Sequence, residues 1–246
     1  MQPMLIEKSI FNEDDVCETA EIAKSYFDVK IVTWQDVIDK KYEKTELFRG
    51  SLGLGIGLKK DFKPYNALEF MPAMREFLVS ERYKFLDMAS IRDYEEFPKF
   101  IRPCSGLKEF AGNVYTKESF DIEYRFAVNN RNNSPGTICV VSSPVKINRE
   151  WRCIFVDNKL ISGSQYMQNA ELSVFSELPN EVQNYAKTVY KHDYFLNLPE
   201  IVLDIAETQA GLRLIEINAF ETSSWYGADR HEILNALKSA TDLSFR

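Results

Sequence analysis

Two alternating apolar runs near the end of the chain constrain its fold more than any other feature of the 246 residues. They are Ile201-Val202-Leu203-Asp204-Ile205-Ala206-Glu207 and Leu214-Ile215-Glu216-Ile217-Asn218-Ala219-Phe220, with turn formers between Thr208 and Gly211. In a strand, side chains of equal parity share a face, so Glu216 and Asn218 project together while Ile215 and Ile217 point the other way. Pairing Asp204 with Glu216 or Asn218 centres a hairpin near Ala210 or Gly211, where the turn signals stand. Three oxygen-bearing side chains then converge on one side of an apolar sheet. Two carboxylates and an amide carbonyl are hard oxygen donors, suited to magnesium that also touches phosphate. An ordinary solvated strand face has the same pattern; Leu203, Leu214 and Phe220 beside the polar groups favour a cleft.

The rest of the chain divides by periodicity. Residues 14–26 place Val16, Ala20, Ile22, Ala23 and Phe27 on one helical stripe, and 29–32 form a short β-branched run. Thr33-Trp34-Gln35-Asp36 has the form of a capping box, in which both end side chains satisfy orphan amides. Alternation of this kind predicts a small open α/β unit. Farther on, 99–103, 112–115, 137–143, 150–156 and 159–166 read as strands, with Asp157-Asn158 a two-residue turn. Helices are expected at 117–128, 180–191 and 229–239, and a loop at 129–136. The later part is therefore α+β and rich in antiparallel hairpins. The expected division is 1–80, 81–145 and 146–246.

Composition narrows the function classes. Hydrophobic residues make up 45% and charged residues 27%, which suits a folded globular chain rather than a disordered one. The absence of a run of about 20 apolar residues, and of a basic and apolar leader, predicts a soluble protein of the cytoplasm, or of the host cytoplasm if the chain is viral. With 30 basic and 37 acidic residues the net charge is −7, so nonspecific nucleic-acid binding is not expected. Cys17, Cys104, Cys139 and Cys153 are scattered without zinc-ligand spacing, as reduced thiols would be. His192 and His231 lie on amphipathic helical stretches and read as structural or surface residues. The glycines of residues 50–57 fit neither phosphate-loop spacing and read as a flexible strand end or a close backbone contact. No G-x-S-x-G elbow is present to expose a nucleophilic serine.

Cations precede the hairpin. Arg102 closes Phe100-Ile101-Arg102-Pro103, and Lys108 follows in Ser105-Gly106-Leu107-Lys108. The guanidinium can bind triphosphate oxygens bidentately and the ammonium as a point charge. Glu150 and Arg152 share a face of the strand that begins near Arg149.

In this order the elements resemble an ATP-grasp fold over roughly residues 95–220, preceded by a small α/β pre-ATP-grasp domain: two α+β subdomains clasping ATP. Phe100-Ile101-Arg102-Pro103 is similar to the family's hydrophobic-hydrophobic-Lys-Pro strand, with arginine for lysine, and Lys108 to its second phosphate-binding lysine. Cys139-Val140-Val141-Ser142-Ser143-Pro144-Val145 resembles the hinge whose backbone holds adenine, here around Ser142, Ser143 and Val145. Glu150 stands where the ribose-binding acid is found, and Asp204, Glu216 and Asn218 match the metal ligands. Arginine at 102, with Arg152, resembles a divergent clade marked by an arginine and two lysines. That clade includes phage and bacterial proteins and the eukaryotic cell-division-cycle protein that assembles translation initiation factor two; Phe48-Arg49-Gly50-Ser51 is like its compact members. This chain departs at Val202, where many members carry arginine, and at Ser142 and Ser143, where an acid is usual.

The resemblance implies an ATP- and Mg2+-dependent carboxylate–amine ligase working through an acyl phosphate. Arg102, Lys108 and Arg152 would be its catalytic cations, and the substrates a carboxylate and an amine on a protein or peptide. The alternative it implies is an ATP-binding assembly chaperone that acts on a partner protein without ligation.

Overall fold

The structure is a computed structural model that describes all residues except 9–12, 40, 41, 43–46, 59–63, 108, 130–133, 245 and 246. Its contacts form two compact units, Met1–Lys63 with Ile147–Arg246, and Pro64–Lys146. The sequence suggests three parts with breaks after 80 and 145. The observed breaks follow Lys63 and Lys146, and the N-terminal segment joins the C-terminal one. Long-range burial, which contiguity along the chain does not report, makes that junction.

The N-terminal segment runs β1 (Pro3–Glu7), α1 (Glu13–Ala23), β2 (Asp28–Val32), α2 (Trp34–Ile38), β3 (Leu47–Arg49) and α3 (Leu52–Leu58). Its strands form a parallel sheet in the order β2-β1-β3. As expected of a parallel strand covered on both faces, β1 buries alternate residues on opposite sides. Met4 and Ile6 enter one apolar cluster, Leu5 another with Val32, Val37, Phe48 and Leu54. The capping box forms: Asp36 N donates to Thr33 Oγ1 at 3.4 Å, and Thr33 N donates to Asp36 Oδ2 at 2.9 Å. Residues 52–58, read as a flexible strand end, are instead helix α3. The close-contact half of that expectation holds at Gly50, where a Cβ would lie 2.8 Å from the Glu7 Cβ and 2.6 Å from Leu54 Cδ2. Helical glycines cost stability, so helix propensity gives no warning of α3.

The second unit comprises α4 (Ala67–Ala73), β4 (Tyr83–Asp87), α5 (Met88–Tyr94), β5 (Lys99–Pro103), β6 (Asn113–Tyr115), α6 (Lys117–Asn129) and β7 (Ile138–Ser142). The strands pair antiparallel in the order β4-β7-β5-β6. Ile101, Cys139 and Val141 from the sheet meet Met88, Ile91, Phe120 and Ala127 from α5 and α6 in its core. Of the expected loop at 129–136, residues 130–133 lie outside the described residues.

The chain then returns through β8 (Ile147–Val156), β9 (Lys159–Gln168), β10 (Glu171–Phe175), α7 (Asn180–Tyr190), β11 (Ile201–Thr208), β12 (Gly211–Asn218) and α8 (Arg230–Ser244). These strands form an antiparallel sheet, β10-β9-β8-β11-β12. Asp157 and Asn158 take φ of 49° and 61°, the left-handed pair that a tight two-residue hairpin requires. Phe155 of β8 stacks on Tyr190 of α7 at 4.3 Å. Even-numbered Ile154, Val156 and Val202 instead join Met4, Ile6, Trp225, Ile233 and Leu237 in the core shared with the N-terminal segment. Half-buried His192 accepts from Tyr194 N through Nδ1 at 3.2 Å, and His231 is a surface residue whose Nδ1 lies 3.4 Å from the Tyr26 hydroxyl. Among the described residues no helix is long and apolar enough to cross a membrane.

Candidate functional site

The β11–β12 hairpin closes on Thr208 and Gly211, and Asp204 stands opposite Glu216 with Val202 opposite Asn218. A bulge between Asp204 and Ile205 adjusts the register so that all three polar side chains emerge together. Asn218 Nδ2 donates to Asp204 Oδ2 at 3.1 Å and to Glu216 Oε1 at 3.0 Å. The convergence expected from parity is therefore present. Asp204 is 1% exposed, whereas Glu216 is half-buried.

Across the next ladder Arg152 on β8 pairs with Asp204 on β11. Its Nε and Nη2 donate to the two carboxylate oxygens at 2.8 and 2.7 Å, and its Nη1 to the Ser224 carbonyl at 2.9 Å. The guanidinium lies 5.3 Å from the Tyr166 ring and 5.0 Å from the Tyr226 ring, and these rings stack on each other at 4.9 Å. Burial pushes the Asp204 carboxyl up, with the Arg152 charge pulling it back and Glu216 adding to the rise. A buried charge of this kind persists only because it is paired and hydrogen-bonded. Arg152 thus directs three of its donors at protein groups rather than presenting them to solvent.

Glu150 lies two residues before Arg152, on the same side of β8. Its Oε2 accepts from the Tyr166 hydroxyl at 2.5 Å. Burial raises the Glu150 carboxyl above its ordinary value, the Tyr166 hydrogen bond opposes that shift, and Asp204 and Glu216 reinforce it. Burial likewise drives the Tyr166 phenol strongly upward, so the phenol stays protonated and donates. Glu150, Arg152, Asp204, Glu216 and Asn218 therefore share one polar cluster.

The remaining expected residues belong to the other unit. Arg102 on β5 sits 5.7 Å from the Phe70 ring, with Nη2 4.0 Å from Met71 Sδ. Lys108 lies outside the described residues. The loop before it is fixed: Ser105 Oγ donates to Glu109 Oε1 at 2.6 Å, and a Cβ at Gly106 would meet Pro64 Cβ at 2.4 Å. Ser142 is the buried last residue of β7, while Ser143 and Val145 are exposed in the segment that leads to β8.

Residues 80–236 match the second family of ATP-grasp domains in the clade named for its arginine and two lysines. The chain belongs to that family. Among curated proteins, no significant sequence match is found. Solved structures share the ATP-grasp fold along nearly the whole length. D-alanine–D-alanine ligase from Bacillus anthracis is 13% identical, with a TM-score of 0.59, covering 99% of this chain and 98% of that one. The same enzyme complexed with ATP gives 14% and 0.56, at the same coverage. An ATP-grasp RimK domain protein from Sphaerobacter thermophilus is 10% identical, with a TM-score of 0.59, covering 100% and 99%. The ATP-grasp ligase PsnB, complexed with minimal precursor, is 11% identical, with a TM-score of 0.56, covering 98% and 99%. The α+β ATP-grasp architecture read from the sequence is thus confirmed.

In this ATP-grasp chain the donor set at the hairpin suits a hard divalent cation. Among the described residues no three His, Cys, Asp or Glu side chains are arranged to hold a metal; the hairpin offers two carboxylates, and Asn218 is the third donor. Its amide already bridges both carboxylates, and turning that amide end for end would present the oxygen in place of the nitrogen. Two residues of the cluster, Tyr166 and Tyr226, are not singled out by the sequence pattern. Counting across the Asp157-Asn158 turn would find Tyr166 near Glu150. Tyr226, in a loop with φ of 48°, leaves no periodic signal.

Proposed function

We propose that this ATP-grasp protein is an ATP- and Mg2+-dependent carboxylate–amine ligase, acting through an acyl phosphate on a protein or peptide substrate. The observation that carries the reading is the convergence of buried Asp204 and Asn218 with half-buried Glu216, backed by Arg152. Family membership supports ATP as the co-substrate. A D-alanine–D-alanine ligase and a ligase bound to its minimal precursor among the neighbours support the reaction class.

The chemistry runs in two displacements. A substrate carboxylate oxygen attacks the γ-phosphorus, the bond to ADP breaks, and an acyl phosphate forms. An amine then attacks its carbonyl, inorganic phosphate leaves, and the amine loses a proton. The protein's part is positioning and charge neutralisation, which needs no nucleophilic side chain. Asp204, Glu216 and Asn218 would hold the magnesium, which when bound neutralises phosphate charge and polarises the phosphoryl group. Arg152 opposes the burial that raises the Asp204 carboxyl and orients it through both oxygens. Arg102 and Lys108 would neutralise the phosphates, the backbone from Ser142 to Val145 would read adenine, and Glu150 would accept a ribose hydroxyl.

The test is release of ADP and phosphate across panels of carboxylates and amines, with mass spectrometry of the joined product. Turnover should require magnesium and both substrates. Glu216→Gln keeps the shape and removes an anionic ligand, so it should lower turnover by more than about a hundredfold, with apo stability unchanged or slightly improved. Full magnesium-dependent turnover in that variant would overturn the site.

A further inference from the structure

A second buried arginine lies on the far side of the loop that follows Asn218. Arg49, at the end of β3, is 1% exposed. Its Nη1 donates to the Ser223 carbonyl at 2.7 Å, and its guanidinium carbon lies 4.0 Å from the Trp225 ring. Arg152 treats the next residue of each pair in the same way, with Nη1 on the Ser224 carbonyl at 2.9 Å and the guanidinium 5.0 Å from the Tyr226 ring. Consecutive carbonyls and consecutive rings of one short segment are thus gripped alternately by two arginines from distant parts of the sequence. Further contacts pin the same segment. Gly50 N donates to the Glu221 carbonyl at 3.1 Å, and Ser223 Oγ to the Ala219 carbonyl at 2.7 Å. Trp225 is fully buried in the core that Met4, Ile6 and Val202 share.

From this arrangement we infer that Arg49 is a positioning residue for the Asp204–Glu216–Asn218 cluster, acting through the Ser223–Tyr226 segment. The inference rests on the proposed metal site. Arg49 reaches the Ser223 carbonyl and the Trp225 ring. It fixes the segment that starts five residues past Asn218 and whose Ser224 carbonyl and Tyr226 ring locate Arg152. Arg152 in turn orients Asp204 through both carboxylate oxygens. Groups that orient a metal ligand at one remove set its affinity strongly, because a carboxylate held in one rotamer needs no ordering when the cation arrives. A purely structural arginine would lower stability and leave the affinity of the folded site untouched. That difference is measurable without any turnover.

The experiment titrates magnesium against full-length protein and follows binding of a non-hydrolysable ATP analogue by calorimetry. Melting temperature is recorded in parallel without metal. Three variants are compared with the wild type: Arg49→Met, which keeps length and apolar packing but has no donors; Arg49→Lys, the milder change; and Leu5→Ala, a core truncation in the same unit. Arg49→Met should raise the magnesium concentration for half-maximal analogue binding by about tenfold, and Arg49→Lys should restore part of the loss. Leu5→Ala should lower the melting temperature as much or more with the magnesium midpoint unmoved. An unmoved midpoint in Arg49→Met, or in Arg49→Lys should the methionine variant not fold, overturns the positioning role while leaving the metal site intact. A wild type whose analogue binding ignores magnesium overturns the metal site itself, and this inference with it.

Discussion

Strands β8 and β11 carry two bidentate arginine–carboxylate pairs only three residues apart, Arg152 with Asp204 and Arg149 with Glu207. The hydrogen-bond lengths are similar, 2.8 and 2.7 Å in the first and 3.0 and 3.0 Å in the second. Alternation puts the pairs on opposite faces, and there the likeness ends. Side-chain exposure is 8% and 1% for the first pair against 38% and 31% for the second. Burial pushes the Asp204 carboxyl up against its partner's pull, whereas the Arg149 hydrogen bond holds Glu207 below its ordinary value. One chemical motif therefore does two jobs. The exposed pair is a surface contact that water and salt dilute. The buried pair fixes a carboxylate in a place from which it cannot turn away, which is what the proposed metal site would require.

The sharpest way to break this contrast is to remove each arginine in turn. Arg152→Met should cost about 3–5 kcal/mol in a denaturant titration, because Asp204 is left buried without its counter-charge; Arg149→Met should cost less than about 1 kcal/mol. Equal losses would end the distinction. A smaller effect is expected from the wall of the buried pair. Tyr166→Phe deletes the hydroxyl that donates to Glu150 and should cost about 1.5–3 kcal/mol, the range for hydrogen bonds to charged groups; a neutral result would contradict a stabilising bond between the two. The smallest effect belongs to Glu207→Gln, below about 1 kcal/mol at neutral pH. Because the folded-state pKa of Glu207 is lowered, its contribution is present above the unfolded value of 4.5 and is lost as pH falls through the folded one. The gap between wild type and variant should therefore close in acid, and also in high salt. A gap that widens in acid would contradict the sign of the shift.

The hairpin is legible in the sequence because parity, turn formers and apolar neighbours all agree over 201–220, and each signal is local. The strands at 99–103 and 159–166 and the capping box at Thr33 are readable for the same reason. Strands β1, β4 and β10 and helices α3, α4 and α5 give no such signal. Pro3–Glu7 is too short to show a period, and it is buried on both faces because of partners that lie far along the sequence. Helix α3 runs against the propensity of its own glycines. At the site, residue types announce the convergence of Asp204, Glu216 and Asn218, but not that Arg152 turns toward Asp204 and Ser224. That choice is made by burial, which leaves a guanidinium no solvent to face. Arg49 is visible in the sequence only as part of a short motif, since its partner Ser223 lies 174 positions away, beyond the reach of any local pattern.

One unit is assembled from residues 1–63 and 147–246, with a contiguous segment between them, and this has a consequence for biosynthesis. As the chain leaves the ribosome, 64–146 already contains every strand of its own sheet and can close early. The N-terminal sheet cannot bury Met4 and Ile6 until Ile154, Val202, Trp225 and Leu237 have been made. Its apolar strand must wait until those residues emerge, an interval in which unpaired edges are captured by chaperones or by other nascent chains. The cluster around Arg152 and Asp204 is completed only then, and no truncated product that stops short of Tyr226 carries all of its contacts.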